Sequence, residues 1–223
     1  RLYCAHSNFP RLPAESSVEI WDTATMQPVG QHRFAQPPGS LTWAVPRGGE
    51  WFACFAHYRP LGDPARAQVV RFDAQWQRLA SWSFPAELIE HFAGSSASGG
   101  GFGPGGALFV TGHDARELYV LAVPETGAVL NWTATIPISA EGQAFAWDPV
   151  ETNLLYSISR RTKEVIVSQV TSGAAAPLID KALMADLPTN PDILKQAFPE
   201  DAKFWIDNGD KLAERWTRWS GTK

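Results

Sequence analysis

Residues 2–22, LYCAHSNFPRLPAESSVEIWD, overlay residues 53–73, ACFAHYRPLGDPARAQVVRFD, without a gap at an offset of 51. The shift places Ala5 on Ala56, His6 on His57, Pro13 on Pro64, Val18 on Val69, Trp21 on Phe72 and Asp22 on Asp73. A period of roughly fifty residues, with each copy rich in short strands, marks the blade of a β-propeller.

The texture continues along the chain. Alternating apolar runs split by a turn recur as 17–34 (SVEIWDTATMQPVGQHRF), 68–84 (QVVRFDAQWQRLASWSF) and 118–136 (LYVLAVPETGAVLNWTATI), with a last run EVIVSQV at 164–170. These read as outer hairpins of blades. Inner hairpins precede them as GSLTWAV with EWFACFAH, as GGFGPGGALFVTGH, and as GQAFAWDP with NLLYSIS; the first copy offers only LYCAH. The expected fold is all-β: a partial β-propeller of about three and a half four-stranded blades. The count reads as three full blades plus the remainder of another, opened by Arg1 inside a strand with no initiator Met. That start reads as processed or as missing sequence.

Residues 85–106 interrupt the pattern with a short helical segment, Ala86 to Phe92, and a Gly/Ser loop. The glycines are expected to let a tight backbone pass near the axis, with a phosphate cradle as the weaker reading. No Lys-Ser/Thr pair follows, so a P-loop is excluded. After Val170 the sequence TSGAAAP (171–177) reads as a linker, and 178–223 as a short α-helical tail. There Asp192 is a plausible N-cap for a helix through Phe198, and Trp205, Leu212, Trp216 and Trp219 form one stripe.

The 223 residues carry a net charge of −4 and no basic block, which gives nucleic acid no footing. No apolar run approaches the ~18 residues of a membrane helix. Cys4 and Cys54 fall one position out of register between the copies, so they are expected on opposite sheet faces. Small buried side chains explain them better than a disulfide or metal pair.

Two resemblances follow from quoted stretches. YCAHSNFP, SSVEIWDT, LFVTGHDARELYVL and EGQAFAWDP with YSISRRTKEVIVS, between Tyr3 and Val170, resemble an exported bacterial propeller family of uncharacterised function. That likeness implies a periplasmic or secreted protein and carries no established chemistry. IDKALMADLPTNPDILKQAFPEDAKFWIDNGDKLAERWTRW (179–219) is similar to the C-terminal end of a polyamine-type ABC transporter periplasmic solute-binding protein. Ligand residues of that family lie upstream in a two-lobed domain, so none is carried over. The meeting of the two at 171–177 reads as a natural two-domain protein or as a composite frame.

The overlay sets His6, His57 and His113 at one point of the repeat, the end of the second strand, with Arg160 in the fourth copy. Convergent neutral imidazoles suit a transition metal, and protonated ones with Arg160 suit an anion. Asp114, Asn8 and Tyr58 stand within two residues as supporting groups. The plainer alternative has each histidine ending its own strand and bonding within its own blade. Glu141 and Gln143, near the expected channel mouth, are the second polar set, with Ser40 and Ser98 in comparable places; His32 and His91 have no equivalents. The Asn131 sequon is of low specificity.

No nucleophile stands in an orienting motif, and no cofactor or catalytic residue is assigned. The leading expectation is a non-enzymatic exported propeller that binds a small molecule or protein partner on the histidine-bearing face. The alternatives are a propeller enzyme (lyase, lactonase or quinoprotein-like oxidoreductase) and a solute-binding transport component.

Overall fold

Fourteen strands and one α-helix fill the residues that the computed structural model describes, 1–93 and 95–170. Sheet 1 holds β1 (Leu2–Ser7), β2 (Ser16–Asp22) and β3 (Gln27–Phe34), and sheet 2 holds β4 (Ser40–Arg47), β5 (Glu50–Ala56), β6 (Gln68–Phe72) and β7 (Arg78–Ser83). After α1 (Ala86–His91), sheet 3 holds β8 (Gly99–Phe102), β9 (Leu108–Thr111), β10 (Glu117–Ala122) and β11 (Asn131–Pro137). Sheet 4 holds β12 (Phe145–Trp147), β13 (Leu154–Ser159) and β14 (Glu164–Gln169). Every sheet is an antiparallel meander, and β1, β4, β8 and β12 neighbour one another in sequence order. This is the propeller arrangement expected of the repeat. The strands divide into two sheets of four and two of three, instead of three complete blades and a remainder. A fourth strand for sheet 4 would fall past Val170, where the linker and the helical tail also lie, outside the described residues.

Sheet-to-sheet packing explains the composition. Val18 of sheet 1 meets Leu41, Ala53, Phe55 and Val70 of sheet 2. Trp43, Phe52, Cys54 and Val69 on the other face of sheet 2 meet Leu108, Val110, Tyr119 and Leu121 of sheet 3. The remaining face of sheet 3, with Phe109, Leu118 and Val120, meets Leu155. A strand covered on both faces loses its polar alternation, which is why β10 reads ELYVLA with Leu118 through Leu121 all fully buried. Cys54 lies in that packing and Cys4 is half-buried, both free thiols, and burial pushes the Cys54 thiol up to about 12.

The glycines set how closely the sheets approach. A Cβ on Gly99 would stand 2.3 Å from the Gln143 carbonyl oxygen, and one on Gly100 2.2 Å from the Trp43 indole. Strand β8 is therefore glycine because the neighbouring sheets close on it from both sides, as the sequence leads one to expect near an axis. Beside it, the Thr111 hydroxyl donates to the Gln143 carbonyl at 2.7 Å, tying sheet 3 to the start of sheet 4. Between sheets 1 and 2 the Ser16 hydroxyl donates to the Gly39 carbonyl at 3.2 Å and accepts from the Leu41 amide at 3.1 Å.

Helix α1 fills the insertion. Leu88 anchors it in the core between sheets 2 and 3. At its last turn His91 Nε2 donates to Glu117 at 2.7 Å, and the Tyr119 hydroxyl donates to the same carboxylate oxygen at 2.8 Å. These two bonds hold the Glu117 carboxyl below its ordinary 4.5. A carboxyl depressed in the folded state stabilises fully above its unfolded value and progressively less as pH falls through the folded one.

Two stability tests follow from these contacts. Gly99→Ala should cost about 2 kcal/mol by thermal melting, since the obstacle is a backbone carbonyl; an unchanged melt contradicts the close approach. Glu117→Gln should cost about 1 kcal/mol at neutral pH, with the gap to wild type closing on acidification below 4.5. A gap that persists in acid contradicts the charge-based account.

Candidate functional site

A cavity of about 470 Å³ opens where the four sheets meet at one end. Ser7 and Phe9 follow from β1, Thr42 lies in β4, and Tyr58 and Arg59 leave β5. Ser95, Ser98 and His113 border sheet 3, while Gln143 and Arg160 flank the strands of sheet 4. Its polar lining is hydroxyls, an amide, an imidazole and two guanidinium groups, with no Asp or Glu among the described residues that line it.

His113 and Arg160 come together there. The Arg160 guanidinium donates to His113 Nε2 at 2.7 Å, while His113 Nδ1 lies 2.7 Å from Asp114 Oδ1. With Nε2 accepting from Arg160, Nδ1 is the ring nitrogen that donates to Asp114. Arg160 also donates to Asp114 at 3.3 Å. The row Asp114, His113, Arg160 thus crosses from sheet 3 to sheet 4 and fixes the guanidinium at the cavity's edge. Arg59 is exposed and has no carboxylate partner among the described residues. Burial pushes the Tyr58 phenol up to about 12, which keeps it a hydrogen-bond donor at neutral pH.

The other candidates separate. His57 Nε2 donates to the Pro38 carbonyl at 2.6 Å, and its ring is wedged between Gly39 and Gly62. His57 faces a second cavity of about 300 Å³. His6 is exposed in a third, of about 230 Å³, beside Glu15, Glu19 and Gln31. Glu141 lines none of the three: it accepts from Ser159 at 3.0 Å and Arg116 at 3.3 Å, and pairs with Arg161 at 3.5 Å. Asn8 closes its own loop on Pro13 and Glu15. His32 stacks on Trp76 at 4.6 Å, and His91 belongs to the α1 contact described above.

The expectation that the three histidines share one position is therefore corrected. His6 lies inside β1 opposite Ser17, but Gln68, the repeat counterpart of Ser17, stands opposite Phe55 and not His57. Val18 likewise pairs with Ala5 where Val69 pairs with Cys54. The gapless overlay is right for β2 and β6, which both bulge at the aligned steps Ile20/Trp21 and Arg71/Phe72, and slips by two between β1 and β5. A slip of two leaves each side chain on its original face, so the apolar pattern does not reveal it. His6, His57 and His113 line three different cavities, and no group of three His, Cys, Asp or Glu among the described residues is placed to hold an ion. Arg59, Thr42, Ser7 and Phe9 escaped sequence reading because they follow or sit within strands without a shared motif, and Ser95 because it lies in the loop between α1 and β8.

The chain matches no protein-family model. A 97-residue stretch, 44% of the chain, is 32% identical to the gamma-aminobutyric acid-binding protein of Pseudomonas aeruginosa and covers 26% of it. Among solved structures the chain is similar to Kuenenia stuttgartiensis hydrazine synthase, at 12% identity and TM-score 0.47 over 75% of this chain and 55% of that one. It is also similar to a putative 6-phosphogluconolactonase from Bacteroides uniformis, at 13% identity and TM-score 0.45 over 75% and 49%. A third is the β-propeller domain of Cps50 (Swd1) from Myceliophteria thermophila, at 16% identity and TM-score 0.42 over 71% and 50%. The chain thus spans about a quarter of the curated relative and about half of these solved chains. No helix among the described residues is long and apolar enough to cross a membrane.

Separated histidines should not respond to transition metals as a set. Zn, Cu or Ni salts should leave the melting temperature unchanged, and elemental analysis should find no stoichiometric metal; a bound metal lost on His113→Ala and His57→Ala alike would contradict the geometry.

Proposed function

We propose that the protein is a non-enzymatic, exported propeller that binds a small anion in the cavity at the meeting point of its four sheets. The observation that carries this reading is the lining itself: Arg59 and Arg160 with hydroxyl, phenol and amide donors, and no acidic side chain among the described residues that line it. Guanidinium groups match carboxylate and phosphate oxygens two at a time. The Asp114 and His113 contacts hold Arg160 in place, so part of the ordering cost is met before a ligand arrives. A cavity of about 470 Å³ lies within the range of small-molecule sites.

The match to a gamma-aminobutyric acid-binding protein favours a second reading, a solute-binding component of a transporter. A carboxylate-bearing solute fits the cationic lining, and a polyamine does not. For the enzyme alternative, no serine, threonine or cysteine bonds to a histidine among the described residues, so a nucleophile with its base is not in place.

Thermal melting of the intact chain against millimolar carboxylates, inorganic phosphate, gamma-aminobutyrate and putrescine tests these readings. Anions should raise the midpoint, as ligands of the native state must, and Arg160→Gln should weaken that binding roughly tenfold. His57→Ala should leave it unchanged. Stabilisation by putrescine, or an anion effect indifferent to both Arg59→Gln and Arg160→Gln, contradicts the proposal.

A further inference from the structure

The cationic cavity does not end at its own wall. Phe9 and Tyr58 line it on one side and line the 300 Å³ cavity on the other, with ring centroids 4.8 Å apart. Beyond that pair the second cavity is floored by Pro37 and Pro38 and rimmed by Leu12 and Leu61, which are 71% and 50% exposed. Phe9 itself is 44% exposed. Exposed apolar side chains gathered at one recess differ from scattered ones, because together they offer a ligand a continuous dry surface. Charge is matched as well. Arg11 and Arg66 are the charged residues of this second lining, and neither cavity includes an acidic side chain among the described residues.

We infer that the ligand is an amphipathic organic anion, an aryl- or alkyl-carboxylate whose head sits between Arg59 and Arg160 and whose apolar body crosses Phe9 and Tyr58 toward Leu12 and Leu61. The inference rests on the anion-binding reading and narrows it from any small anion to one with a hydrocarbon portion. Phe9 and Tyr58 are the contact between the two halves, since a ring or chain lying on them reaches both cavities. The His57 contact to Pro38 serves here as a strut, holding the floor of the apolar cavity against the end of β5.

The test is calorimetric titration of the intact chain with 4-phenylbutyrate, acetate and 4-phenylbutanol. 4-Phenylbutyrate should bind at least tenfold more tightly than acetate, from the apolar area it buries. The double variant Leu12→Ser, Leu61→Ser changes two exposed side chains and should remove most of that advantage while leaving acetate binding unaltered. Phe9→Ala, checked by thermal melting for intact folding, should act in the same direction. Equal affinity for 4-phenylbutyrate and acetate overturns the inference and leaves the anion reading standing. Tight binding of 4-phenylbutanol with no response to Arg160→Gln overturns the anion reading, and the absence of binding by all three probes overturns both.

Discussion

The close approach of backbones around strand β8 is the constraint on which the rest of the structure depends. Gly99 lies under the Gln143 carbonyl, Gly100 under the Trp43 indole, and a Cβ on Gly142 would stand 2.1 Å from the Gly112 carbonyl oxygen. Side chains larger than hydrogen at these points would separate sheets 2, 3 and 4 at the end where their strands converge. The Thr111 and Ser16 hydroxyls then link neighbouring sheets across the same end, so polar backbone groups at the junctions find partners.

That convergence is what turns unrelated residues into a site. Arg59, His113 and Arg160 follow strands of three different sheets and lie far apart in sequence, yet they border one cavity. Asp114, which pairs with Arg160 at 3.3 Å, is 72% exposed, so solvent screens its charge. The same end of the molecule brings Phe9 against Tyr58 and leaves apolar side chains uncovered beside them.

Much of the fold was legible because blade strands announce themselves by alternation and by the repeated Trp21/Phe72 and Asp22/Asp73 endings. Strands β2, β6 and the helix at Ala86 fall where the sequence placed them. The site was legible only in part. His113 and Arg160 border one cavity while His6 and His57 line two others, since the loop between β1 and β2 differs in length from that between β5 and β6 and the overlay absorbed the difference as a two-residue slip. A periodic apolar pattern reports which face a residue occupies and is blind to how far along the strand it stands. Arg59 and Phe9 were missed for a related reason: they occupy loops, where no periodicity constrains the reading.

A crystal of the intact chain soaked in bromide tests the central claim most directly, because anomalous scattering locates the anion without reference to any assumed ligand. The account predicts a bromide between Arg59 and Arg160, within hydrogen-bond reach of at least one guanidinium and lost in Arg160→Gln. Bromide found only at other surface positions, with the cavity empty at the same concentration, would contradict it.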